Sequence, residues 1–312
     1  MTVSDDTAYS RTDEWFDSDG VRCAVAVFRP TPAPATAAGT PAIVMAHGFG
    51  TPRAFRLYAY AEVFARAGYI VLIFDYRHFG ESEGEPRQLL DISKQHQDYR
   101  NAVAYARSLD GVNADRIVGW GTSFAGGHVL TLAGTGEHFA AVIAQVPHVS
   151  GPAAVRATGL RQTLRVLPSA LIDQTRALAK RSPRYIDSVG HPGQVAVMTS
   201  PDAIGGRDRL LDASGLPHGQ YLETVAARIL LVIGLYSPGR TAAKIACPTM
   251  IQIMADDAVT PASVAQKVAA KVPHATVHIH RGGHFDPYVE PLFSAIVAEQ
   301  LAFLRLEVPL TA

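Results

Sequence analysis

Residues 119–127 read Gly119-Trp120-Gly121-Thr122-Ser123-Phe124-Ala125-Gly126-Gly127. The apolar run Arg116-Ile117-Val118-Gly119-Trp120 spells a buried strand, and the small residues after Ser123 open into a helical pattern. A serine on a sharp strand-to-helix turn has its hydroxyl pushed clear of the backbone, where a base and a substrate can reach it. Such a turn crowds strand against helix, and Gly121, Ala125, Gly126 and Gly127 supply the small residues it needs. The usual pattern is Gly-x-Ser-x-Gly; here Ala125 takes the last position, one methyl larger, with glycine following at 126. An ordinary strand-turn-helix junction uses the same residue types, so the rest of the chain has to make Ser123 a nucleophile.

On both sides of this turn the chain keeps one grammar. Ala42–Ala46 reads as a buried strand, Phe55–Ala67 as a helix ended by Gly68, Tyr69–Phe74 as a strand, and Leu89 to Leu109 as a helix. Phe139–Val146 is a further strand. Short apolar strands alternating with amphipathic helices predict an α/β fold, a mostly parallel central sheet covered by helices. Its catalytic groups gather beyond the carboxyl ends of the strands. From 148 to about 240 the rhythm stops, replaced by arginine-rich helical pieces and scattered prolines. It returns at Pro248 with strand Thr249–Met254, helix Ala262–Lys271, strand Thr276–His280 and a helix from Pro287 to about Leu304. The expected division is therefore a core in two parts, 1–147 and 241–312, with a mainly helical cap over 148–240. A cap over the strand ends excludes water and shapes a pocket. Ahead of the core, Glu14–Asp17 and Arg22–Phe28 flank Ser18-Asp19-Gly20 as a β-hairpin, and residues 30–41, rich in proline and small residues, form an exposed connection.

Composition narrows the function classes. The 312 residues are 48% hydrophobic and 18% charged, which suits a globular protein with a large core. Lys+Arg and Asp+Glu balance at 28 each, leaving no basic field for nucleic acid. The N-terminus, Met-Thr-Val-Ser-Asp-Asp, lacks a secretory pattern, and no apolar run reaches membrane-spanning length, so a cytoplasmic protein without membrane association is expected. Cys23 and Cys247 alone support neither a disulfide framework nor a cysteine-based zinc site.

A serine hydroxyl needs a base within hydrogen-bond reach. Among 12 histidines, His284 in Arg281-Gly282-Gly283-His284-Phe285-Asp286 lies just past the last strand, in a glycine loop able to turn an imidazole over the sheet. His278 and His280 alternate along that strand and read as packing residues. The base needs a carboxylate to fix its tautomer. Met254-Ala255-Asp256-Asp257-Ala258-Val259-Thr260-Pro261 places two acids at a strand end. Asp257, four residues before Pro261, is preferred, with Asp256 read as a turn or capping residue. The developing oxyanion needs donors, and the loop His47-Gly48-Phe49-Gly50 can present the Phe49 N–H beside the Phe124 N–H. His148 and Tyr236 are candidate pocket residues; a plain buried or surface imidazole is an equal reading for His148, and cap packing is the better reading for Tyr236 and Tyr221. Asp98, Arg100, Arg107 and Asp110 read as a solvated helix face. His274/His278 and His280/His284 stand four apart, but on a strand and its loops, where that spacing does not bring side chains together; no metal and no cofactor are expected.

Together these residues resemble the serine α/β-hydrolase superfamily over nearly all of residues 12–306, with its order serine, acid, histidine. Asp75-Tyr76-Arg77-His78-Phe79-Gly80-Glu81-Ser82 is similar to that family's strand-end turn, which implies that Asp75 braces the loops below the site. Within the superfamily the chain most resembles X-prolyl-peptidase-like hydrolases and polyketide acyltransferases. The resemblance implies an acyl-serine intermediate. It points first to a serine hydrolase for a carboxylic ester or thioester of a moderately apolar small molecule. An acyltransferase passing an acyl group from a carrier thioester to an alcohol is the alternative. A prolyl-type peptidase ranks lower for want of the extra β-domain such peptidases commonly carry, and a non-catalytic binding module ranks lower because all three triad members are present. Aspartate-nucleophile chemistry is disfavoured by Ser123. Exposed cap helices are compatible with a homodimer.

Overall fold

The computed structural model describes residues 8–32 and 39–310. The acidic N-terminal stretch and the middle of the proline-rich connection lie outside the described residues. The chain opens with β1 (Ala8–Ser18) and β2 (Val21–Thr31), an antiparallel hairpin. Asp19 and Gly20, at φ 53° and 82°, make the two-residue turn whose twist suits paired strands. Then follow β3 (Thr40–Ala46), α1 (Leu57–Arg66), β4 (Ile70–Phe74), α2 (Ile92–Ser108), β5 (Val112–Thr122), α3 (Phe124–Gly134) and β6 (Ala141–Gln145).

The chain leaves the sheet after β6 and returns to it at β10 (Thr249–Met254). Between them lie α4 (Gly151–Thr158), α5 (Leu160–Leu178), β7 (Tyr185–Val189), β8 (Ala196–Met198), α6 (Ala203–Ala213), β9 (Thr224–Ala226) and four short 3₁₀ turns. The segment is less purely helical than its sequence suggests: β8, β7 and β9 form a small three-stranded sheet. Two of these strands have three residues each, too short to show alternation. The buried Asp173 carboxylate ties α5 to the turn after β9, accepting from the Arg228 backbone at 2.8 Å and its Nε at 2.7 Å. The core closes with α7 (Ala262–Ala269), β11 (Ala275–His280) and α8 (Leu292–Glu307). The last helix begins later than Pro287 because Pro287 enters a 3₁₀ turn and Pro291 sets the helix start.

The main sheet has the order β1-β2-β4-β3-β5-β6-β10-β11. The six strands from β4 to β11 are parallel, so their carboxyl ends share one edge. Successive side chains of β3 go to opposite faces. Val44 joins Leu72, Tyr99, Val129 and Val268 under α2, α3 and α7, while Met45 joins Ile73, Tyr60, Phe64 and Ile296 under α1 and α8. This is the α/β-hydrolase fold. Among the described residues no helix is long and apolar enough to cross a membrane.

One expectation is overturned. Asp98 does not belong to a solvated face: it is fully buried, accepting from Ser18 Oγ at 2.6 Å, Arg77 Nε at 2.7 Å and Arg77 N at 3.0 Å. A helix-face reading sees only spacing, and the partners sit 80 and 21 residues away.

Candidate active site

β5 delivers Ser123 to the carboxyl edge, and α3 starts at the next residue. Ser123 adopts φ 54° and ψ −114°, a region costing a non-glycine residue about 1–3 kcal/mol. The turn tolerates no side chain at Gly121, where a Cβ would stand 2.2 Å from the Ala125 carbonyl oxygen, or at Gly127, 2.3 Å from the His148 carbonyl oxygen. Ala125, in place of the usual glycine, is buried without displacing the helix. Backbone bonds pin the serine from both sides: its N–H donates to Gln145 O at 2.9 Å, and its carbonyl accepts from His148 N at 2.8 Å.

His284 reaches the same point from the loop after β11. Its Nε2 is 2.9 Å from Ser123 Oγ and its Nδ1 is 2.7 Å from Asp257 Oδ2. The Asp257 loop leaves β10, and the carboxylate also accepts from Val259 N at 2.8 Å, Thr260 N at 2.6 Å and Thr260 Oγ1 at 2.7 Å. Burial alone would raise this carboxyl's pKa, but the His284 charge and these donors bring it below the ordinary value. An ionised carboxylate only accepts, so Nδ1 carries the proton and Nε2 is left to accept from the serine hydroxyl. Asp256 is exposed and accepts from Gly282 N at 3.1 Å, a turn role that leaves it outside this relay. Thr260 was not singled out from sequence; its only signal is its place three residues after Asp257.

The loop after β3 comes close to the elbow, since a Cβ on Gly48 would be 3.2 Å from Ser123 Cβ. His47 is buried and held below its ordinary pKa by that burial. It receives the Tyr76 N–H at Nε2, 3.4 Å, and donates from Nδ1 to Gly48 O at 3.0 Å, bracing the loop. Phe49 and Phe124 pack edge to face at 5.5 Å, and among the described residues neither amide hydrogen has an acceptor. Asp75 lies beneath, accepting from Arg53 N at 2.7 Å and Glu81 N at 3.1 Å.

A cavity of about 310 Å³ opens from Ser123, Phe49 and Phe124 toward α4 and α5. Its far wall is mainly apolar, with Ala154, Val155, Val166, Leu167, Met198 and Ile233, and is interrupted by Thr158 and Thr163. A smaller recess of about 40 Å³ adjoins Ser123 on the side of His284, Phe285 and Tyr288. His148 lines the large cavity. Tyr236 does not: its hydroxyl is turned away, 2.7 Å from His128 Nδ1 and 3.0 Å from His96 Nε2, while its ring stacks on His148. Tyr221 packs on Phe55. Burial drives His148 down to about 4 and His128 well below its ordinary value, so both imidazoles are neutral. The residues of α4, α5 and β8 that line the cavity carried no sequence signal.

Away from this centre, neither histidine pair four apart forms a cluster. His278 and His280, two apart on β11, converge instead on Glu299 of α8.

A model of the family described as X-Pro dipeptidyl-peptidase (S15 family) matches residues 19–286. The quorum-quenching protein AidA of Acinetobacter baumannii is 41% identical over 298 residues, covering 95% of each chain. A polyketide transferase of Stachybotrys chlorohalonatus is 33% identical over 157 residues, 49% of this chain and 50% of that one. In structure, the α/β-hydrolase GrgF of Penicillium superposes with a TM-score of 0.78 at 24% identity, covering 96% of this chain and 99% of the other.

Proposed function

Because the chain belongs to the X-Pro dipeptidyl-peptidase (S15) family, we propose that this α/β-hydrolase is a serine hydrolase cleaving the ester or thioester of a small, moderately apolar molecule. The observation that carries the reading is the unbroken relay Ser123 Oγ–His284 Nε2–Asp257 Oδ2, at 2.9 and 2.7 Å. As Ser123 Oγ attacks the substrate carbonyl, His284 Nε2 takes its proton, and Asp257 holds the ring and offsets the imidazolium charge. The Phe49 and Phe124 amides receive the oxyanion. His284 then returns the proton to the leaving alcohol or thiol, and water, activated by the same imidazole, releases the acid and restores Ser123. The apolar cavity against α4 and α5 takes the acyl chain, and the recess beside His284 takes the leaving group.

Similarity to a quorum-quenching protein favours a small diffusible signal ester as the substrate class. The test is Ser123→Ala. It abolishes turnover of p-nitrophenyl acyl esters and labelling by a serine-directed phosphonate; retention of either refutes the reading. A second reading keeps the acyl-enzyme and replaces water by an alcohol, and similarity to a polyketide transferase favours it. Supplying alcohol and water together and measuring the products separates the two.

A further inference from the structure

We propose that His278, His280 and Glu299 form a binding site for a borderline transition-metal ion, Zn²⁺ foremost. Side chains two apart on a strand share a face, and β11 uses this to present two imidazoles side by side, ring planes 7° apart and centroids 6.4 Å apart. Glu299 of α8 reaches both: Oε1 is 3.2 Å from His278 Nδ1, and Oε2 is 3.0 Å from His280 Nε2. The three donor atoms lie within 4.8 Å of one another. Around a tetrahedral zinc ion with bonds of about 2.0–2.1 Å, neighbouring donors stand ~3.3 Å apart; each imidazole nitrogen already stands near that separation from one Glu299 oxygen, 3.2 Å from Oε1 and 3.0 Å from Oε2.

The carboxylate is held from behind. The fully buried Gln252 donates to Glu299 Oε2 at 2.8 Å and to the α8 carbonyl of Ile296 at 3.1 Å. Such a partner orients a ligating oxygen. The three side chains are a third exposed or less, leaving one open side for a water as fourth ligand. Two imidazole nitrogens and one carboxylate suit Zn²⁺, Co²⁺, Ni²⁺ or Cu²⁺ and not Mg²⁺ or Ca²⁺, which take oxygen donors. A bound ion ties edge strand β11 to α8, four residues before His284, so its effect is to stiffen the strand that leads into the His284 loop.

The full-length chain, stripped with chelator, is titrated with Zn²⁺ by calorimetry and with Co²⁺ by visible absorption, with Mg²⁺ as control. One Zn²⁺ binds per chain, Co²⁺ gives the d–d bands of a four-coordinate site, and Zn²⁺ raises the thermal midpoint in a concentration-dependent way. Glu299→Gln and His278→Ala each lose the one-to-one isotherm, the Co²⁺ bands and the thermal shift, while both retain the unliganded thermal midpoint within a few degrees. No saturable binding at submillimolar Zn²⁺ overturns the site. So does binding that persists unchanged in both variants. None of these readouts depends on hydrolase activity.

Discussion

A serine held at φ 54° stays there only while its neighbours forbid the relaxed conformation, and here they do so by contact. Gly121 and Gly127 allow strand and helix to meet around Ser123, and two backbone bonds hold it in place. Asp257 is fixed as tightly, by four donors. Asp257→Asn keeps the shape but lets the amide donate, which permits the wrong imidazole tautomer. Ester kcat is expected to fall by about three to four orders of magnitude with little change in KM, measured by steady-state kinetics. Buried imidazoles, His148 and His128 among them, set an acid limit on stability. His148 is held at about 4, and burial holds His128 well below the ordinary 6.5 as well. Their contribution is complete above pH 6.5. It is lost as pH falls toward 4, because the unfolded chain binds protons the native fold refuses. The urea midpoint therefore declines across that window, and His128→Gln, which cannot charge, shows a shallower decline.

At the scale of elements, the Ser123–His284–Asp257 group and the pocket come from different places. β5, β10 and β11 bring the serine, acid and base to one sheet edge, while α4 and α5 wall the cavity. The two are separable by mutation. Ala154 lines the cavity on α4, and Ala154→Trp fills space that a long acyl chain needs and a short one does not. Acetyl-ester kcat/KM is expected to stay within about threefold, while that for octanoyl and longer esters falls tenfold or more, about 1.4 kcal/mol of lost transition-state binding. An equal loss at every chain length would place the acyl group elsewhere.

Over the whole molecule, the N-terminal hairpin joins the core through the pairing of β2 with β4, and a buried ion pair beside it adds a polar tie. Asp98 of α2 binds Arg77 after β4, and Ser18 at the end of β1 bonds both. Asp98→Asn leaves the guanidinium without its counter-charge and is expected to destabilise the fold on the order of 3 kcal/mol by denaturant titration. Replacing Asp98 and Arg77 together by apolar residues should cost less. Much of the architecture was legible beforehand because it is written in local order. Continuous apolar runs marked β3, β4 and β10, Gly68 ended α1, and the short motifs around Ser123, Asp257 and His284 named the three residues that the structure brings together. These signals survive in one dimension because each arises from steric and hydrogen-bonding demands within a few residues. The tertiary structure alone decided that Asp98 is buried, that Tyr236 faces His128 and not the cavity, that α4 and α5 form the pocket wall, and that His278 and His280 meet Glu299. Those contacts join residues 19 to 108 positions apart, and such a meeting depends on how whole elements pack, which no local pattern records.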